Sequence, residues 1–208
     1  MESDKIVSKI ILAVEGKDEK NFFEALLKHM GIEGCEINDV GGKDQFSNKL
    51  PALKKKTTNF KGVQFLGIIR DAEESAENTF RSVINILQTL KFPTPDKMNQ
   101  FTSPEKGTPA VGIYIMPGNA DSGMLEDLCL MLAKDHHACQ CVERFIDGCA
   151  EALQQPPKNI PKAKAQAYLA IMPDIVNSVG LGAQRGYWNF GSDELDGLRG
   201  FLGNLKKT

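Results

Sequence analysis

Val63-Gln64-Phe65-Leu66-Gly67-Ile68-Ile69 runs straight into Arg70-Asp71-Ala72-Glu73-Glu74, and this junction decides the fold. A short, near-continuous apolar run bounded by charge reads as a strand buried on both faces, the kind that builds parallel sheets. Two further runs repeat the arrangement. Ile10-Ile11-Leu12-Ala13-Val14 leads into Glu15-Gly16, and Val111-Gly112-Ile113-Tyr114-Ile115-Met116 leads into Pro117-Gly118-Asn119, then Leu125-Glu126-Asp127. In a parallel sheet the carboxyl ends of all strands lie on one edge, where α/β proteins bind ligands. Acids at three such ends therefore converge. Converging carboxylates repel one another unless a cation sits between them, and hard oxygen donors suit magnesium or manganese.

Helical patterns separate the strands. Phe22, Phe23, Leu26, Leu27 and Met30 form one stripe over residues 18–30, which Gly31 ends. Residues 35–40 alternate as a second strand, and Phe46, Leu50 and Leu53 mark a short helix ending in Lys54-Lys55-Lys56. A helix is expected over residues 75–90, a proline-rich exposed loop over 92–109, a strand over 110–116 and a helix over 124–134. Beyond residue 135 strand patterns cease. Cys141, Phe145, Cys149 and Leu153 mark one helix, residues 163–171 another, and Leu195, Leu198, Leu202 and Leu205 a last one. The expected architecture is α/β: a parallel sheet of about four strands flanked by helices in residues 1–135, with a helical extension over 136–208 packed on that core.

The 208 residues are 41% hydrophobic and 25% charged, with a net charge of −2, an ordinary globular balance. A charge near zero gives no general pull toward nucleic acid, so such binding needs a local basic patch. No apolar stretch approaches the ~20 residues of a membrane span. The acidic start, Met1-Glu2-Ser3-Asp4, lacks a signal core, and the five cysteines read as reduced thiols. A cytoplasmic protein of bacterial type is expected.

Each acid also has a local reading. Asp71 with Glu74 fits a capping box, and Glu126 fits the first turn of a helix. Glu15 resists this reading, because Glu is a poor N-cap and Gly16 lets a ligand approach the backbone closely. His136, His137, Cys139, Cys141 and Cys149 cluster in sequence, yet no Cys-x-x-Cys pair marks a zinc site. Lys158, Lys162, Lys164 and Arg185, near Tyr187 and Trp188, read as a solvated face beside core aromatics, with nucleic-acid contact as the other reading.

Val14-Glu15-Gly16-Lys17-Asp18 followed by Ile69-Arg70-Asp71-Ala72-Glu73 resembles the TOPRIM domain of primases, type IA and II topoisomerases and overcoming-lysogenization-defect nucleases. Met116-Pro117-Gly118-Asn119 with Gly123-Met124-Leu125-Glu126-Asp127 is similar to an uncharacterised, TOPRIM-related bacterial family whose pattern is Met-Pro-Asp-Asn followed by Gly-x-Leu-Glu. Tyr187-Trp188 and the leucine-rich end fit that family too. Two positions depart from the patterns: Glu73 stands where aspartate is usual, and Gly118 replaces the aspartate of Met-Pro-Asp-Asn, with Asp121 as a candidate substitute. The resemblance implies a TOPRIM-like fold in which Glu15, Asp71 and Glu73 are catalytic. It implies that these three and Glu126 hold magnesium or manganese, and that Gly16, Lys17 and Asn119 meet substrate. Metal-dependent phosphodiester chemistry on nucleic acid, nuclease-like, is the function it implies. The alternative is an inactive TOPRIM-like module that binds a protein or nucleic-acid partner.

Overall fold

Ile10–Val14 (β1) lies between Cys35–Asp39 (β2) and Phe65–Asp71 (β3), parallel to both, in a computed structural model that describes residues 8–42, 45–56, 62–118 and 120–206. Ala110–Met116 (β5) pairs parallel with β3, so that Asp71 stands level with Met116. The three apolar runs are thus adjacent strands, β1, β3 and β5, with their carboxyl ends on one edge, as their sequence pattern requires. The sheet order is β2-β1-β3-β5-β4, where β4 is Gln100–Phe101.

Strand alternation divides the interior in two. Ile10, Leu12 and Val14 face one core, shared with Lys17–His29 (α1), Leu125–Leu132 (α4) and the helices that follow. Ile11 and Ala13 face the other, shared with Phe46–Lys56 (α2) and Ala76–Thr89 (α3). Beyond α4 come Cys139–Ala152 (α5), Ile160–Ala170 (α6), Val179–Gln184 (α7) and Asp196–Gly203 (α8). These later helices do not form a core of their own, since Tyr168, Trp188, Leu198 and Phe201 share one with Phe22 and Leu128. No helix among the described residues is long and apolar enough to cross a membrane.

Three expectations need correction. The sheet has five strands rather than about four, because Gln100–Phe101 (β4) pairs antiparallel with β5 inside the stretch read as a loop. Gly112 and Gly67 leave a slot on the sheet, and the Phe101 ring fills it; a Cβ at Gly112 would stand 2.7 Å from that ring. Phe101 also stacks on Phe201 of α8, with centroids 4.5 Å apart. Second, α5 buries Val142 and Ile146, not the stripe of Cys141, Phe145, Cys149 and Leu153; Phe145 is 60% and Leu153 71% exposed. Third, α7 was not foreseen. Its sequence, VGLGAQ, is short and glycine-bearing: Gly180 lets it lie close on α1, where a Cβ would stand 2.8 Å from that of Asn21, and Gly182 faces Leu169 and Trp188.

The Phe101 slot predicts a contrast. Gly112→Ala overpacks it and should cost about 1–3 kcal/mol. Gly200→Ala, in α8 with open space around it, should stabilise by up to ~1 kcal/mol through helix propensity. Urea unfolding midpoints of both variants check this, and equal shifts would remove the slot from the account of the fold.

Candidate functional site

At the end of β1, Glu15 is buried, and its Oε1 accepts two hydrogen bonds from the end of β3: one from Arg70 Nε at 2.5 Å, one from the Asp71 backbone N–H at 3.1 Å. Successive strand residues point to opposite faces. The Arg70 guanidinium accordingly lies over the Phe46 ring of α2, 4.5 Å from its centroid. The Asp71 side chain is on the other face, within electrostatic reach of Glu126 and Cys129 of α4. There its Oδ1 is buried with no hydrogen-bond partner among the described residues.

The capping role for Asp71 does not occur. Ser75 is the N-cap of α3, its hydroxyl accepting from Asn78 N at 3.3 Å. Asp71 is held by the sheet instead, one residue before Ala72 leaves the strand. Burial pushes its carboxyl well above the usual range, and the charges of Glu15, Glu19, Glu126 and Glu73 add to that rise in this order. Glu126, in the first turn of α4, is also raised, by burial first and by Asp18 and Asp127 in part; its own backbone N–H and Lys162 of α6 oppose the rise.

Glu19 belongs to this group although its place in the sequence suggests only a dipole-favoured acid in the first turn of α1. It too is raised, by burial above all and then by Glu15, Asp18 and Glu126. The signal for it is Gly16: a Cβ there would stand 3.0 Å from Glu19 Oε2, so the glycine makes room for that carboxylate. Asp18 accepts from Gly180 N of α7 at 3.0 Å; its charge bears on Glu19 and Glu126 but is not among the causes of the Asp71 shift. The set gathered around Asp71 is therefore Glu15, Glu19 and Glu126, with Glu73 at its margin.

Glu73 has a left-handed backbone, φ 56°, and pairs through its N–H and carbonyl with Gly123, both at 2.9 Å. That bridge ties the turn after β3 to the turn before α4. Lys17 is exposed at the start of α1, and Gly16 is its N-cap with extended backbone. Asn119 lies outside the described residues. Gly118, φ +100°, sits so close to the Tyr114 hydroxyl that any side chain there would collide with it, which accounts for glycine in place of aspartate. Asp121 is exposed and meets the turn after β3 through its backbone, accepting from Ala76 N at 2.7 Å.

The remaining candidates have structural partners. Trp188 is buried, donates to the Val179 carbonyl at 2.8 Å and stacks on Tyr168. Tyr187 donates its hydroxyl to the Asp174 carbonyl, and Arg185 pairs with the Asp174 carboxylate at 2.9 Å. Cys139 donates to the Ala133 carbonyl and His136 accepts from Ala138 N. A cavity of about 600 Å³ lined by His29, Leu132, Tyr168 and Trp188 lies at the far ends of α1 and α4, away from Glu19 and Glu126.

All donors around Asp71 are hard oxygens, and its orphaned Oδ1 is an atom a divalent cation would satisfy. No three acidic, histidine or cysteine side chains among the described residues are gathered closely enough to cage an ion. Magnesium does not need a cage, since it keeps several waters and uses one or two carboxylates. The donor set fits magnesium or manganese at Asp71 with Glu19 or Glu126 alongside.

A raised folded-state pKa makes the sign of the pH dependence definite. Folded Asp71 holds its proton to higher pH than the unfolded chain does, so its stabilising contribution is present at low pH and is lost as pH rises through the folded value. Asp71→Asn, a mimic of the protonated form, should therefore be more stable than the metal-free natural chain at pH 7. That advantage should shrink toward zero below the ordinary carboxylate range. Thermal melts from pH 3.5 to 8 in chelator check this; a variant less stable at pH 7 would contradict it.

Comparison with known proteins follows the same lines. The fold is similar to the crystal structure of hypothetical protein PH0156 from Pyrococcus horikoshii OT3, with 15% identity, a TM-score of 0.58 and 95% of each chain covered. It is similar also to the C-terminal region of the Burkholderia pseudomallei OLD protein, with 12% identity, a TM-score of 0.50 and 95% of this chain and 98% of that one covered. Among curated proteins there is no match. Residues 9–207 match the family model described as Protein of unknown function (DUF3226), and the chain belongs to that family.

Proposed function

We propose that the chain is a TOPRIM-like protein that binds magnesium or manganese at Asp71 and carries out phosphodiester chemistry on nucleic acid. The observation that carries this reading is the buried, unpartnered Oδ1 of Asp71 at the carboxyl edge of a parallel sheet, with the charges of Glu15, Glu19 and Glu126 acting on it. The order of the motifs along the chain and the likeness of the fold to the OLD protein C-terminal region support it. A bound divalent ion supplies Lewis-acid stabilisation of a phosphate oxygen and lowers the pKa of a bound water.

The chain's own residues take the remaining roles. Asp71 and either Glu19 or Glu126 hold the ion. Glu15, tied to Arg70 and to the Asp71 amide, fixes the strand end that presents Asp71, so it is a positioning residue as the structure stands. Whichever of Glu126 and Glu19 does not hold the ion has a proton affinity raised by burial first, and is suited to pass a proton to a leaving oxygen. Gly16 and Lys17 lie at the mouth beside them.

A second reading is favoured by one observation. The Glu15 carboxylate already has a cation in Arg70, and an edge neutralised in this way serves a non-catalytic module that binds a protein or nucleic-acid partner. Calorimetric titration of manganese separates the two. The natural chain should bind with measurable heat and melt at a higher temperature, because a ligand of the native state alone stabilises it. Asp71→Asn should lose at least tenfold in affinity, about 1.4 kcal/mol, while remaining folded. Negligible heat for both proteins leaves the binding module as the reading that stands.

A further inference from the structure

On α5, Val142 and Ile146 face the core, while Cys141, Phe145, Gly148 and Ala152 lie on an adjacent, solvent-facing strip. At 100° per residue those four fall within about 60° of one another. Phe145 is 60% exposed and Leu153, just past the helix, 71% exposed. A Cβ at Gly148 would meet nothing within 4 Å, so the strip carries a protruding ring beside an open notch. On the opposite flank of α5, Glu143 pairs with Lys164 of α6 at 3.5 Å.

Charge lines the open side of the strip. Arg144 and Glu151 project along the same flank, two turns apart. Arg144 reaches the Gln140 carbonyl and Cys141 Sγ of its own helix, and among the described residues neither it nor Glu151 forms an ion pair.

We infer that this strip is where a second copy of the chain packs, α5 against α5 and antiparallel, about a two-fold axis beside Gly148. Two independent features require the same register. With the axis between residues 147 and 148, Phe145 enters the notch between the partner's Gly148 and the partner's Ala152, and Arg144 comes beside the partner's Glu151. Both contacts occur twice, as a self-complementary two-fold interface demands. A parallel pairing brings no such charge contact, because it sets the Arg144 and Glu151 flank of each copy beside the partner's uncharged flank. The α5 contact is 14 residues long, about 21 Å, so the pair belongs with small, weak interfaces rather than obligate ones.

Sedimentation equilibrium of the full chain with reduced thiols, from about 10 to 500 µM, tests this across the range of weak dissociation constants. The natural chain should move from one to two copies as concentration rises. Phe145→Asp should stay at one copy with a melting temperature near that of the natural chain, since the ring is largely outside the core. Arg144→Glu should dimerise several-fold to about tenfold more weakly, as expected for losing two exposed ion pairs. Arg144→Glu with Glu151→Arg should recover the natural strength. A natural chain that remains one copy throughout overturns the proposal. So does a dimer that survives Phe145→Asp, or a double variant no tighter than Arg144→Glu alone.

Discussion

One guanidinium set against two carboxylates governs this molecule. Glu15, Arg70 and Asp71 are the buried charged residues of the described chain, and Arg70 is committed to Glu15. Taking a charged pair out of water is costly, and removing one partner of such a pair costs on the order of 3–5 kcal/mol, because the other is left uncompensated. Here the pair does structural work: it joins the ends of β1 and β3, and the same Glu15 oxygen accepts the Asp71 amide. Arg70 is drawn to the α2 face, over Phe46, and by strand alternation Asp71 is left on the α1 and α4 face with acids for company. The second buried carboxylate has no cation from the core of the sheet. That imbalance makes the edge a candidate for an added cation.

The helices reinforce it. Glu19 and Glu126 occupy the first turns of α1 and α4, where backbone N–H groups favour negative charge, so the fold gathers acids at one edge at less cost than open juxtaposition would incur. Gly16 clears space for the Glu19 carboxylate, and the Glu73–Gly123 bridge holds the start of α4 to the turn that follows Asp71. The later helices contribute as well: Lys162 of α6 acts on Glu126, and α7 donates to Asp18, whose charge also bears on Glu19 and Glu126.

The parts of this arrangement that were legible in the sequence are those set by burial on both faces of the sheet. The apolar runs of β1, β3 and β5 mark themselves; acids follow the first two at once, and Glu126 follows the third in the first turn of α4. What stayed hidden depends on shape across the chain. Two residues of β4 carry no period; their place is set by the slot over Gly67 and Gly112. The small residues of α7 matter only once α1 lies against them. Phe145 reads as core because α5 carries two adjacent apolar stripes, and periodicity does not say which one the sheet will cover. Glu19 looks like an ordinary first-turn acid until Gly16 is seen beside it. Arg70 stands in full view in the motif, yet its pairing with Glu15 spans the gap between two strands, so no local pattern announces it.

The central claim is that the unpartnered oxygen of Asp71 is a cation ligand. Anomalous diffraction from crystals of the full chain soaked in manganese tests it directly. The account predicts a single strong peak at the carboxyl edge of the sheet, about 2.0–2.2 Å from Asp71 Oδ1, with Glu19 or Glu126 in its shell and waters completing it. An empty edge at millimolar manganese, or a peak whose ligands exclude Asp71, would contradict it.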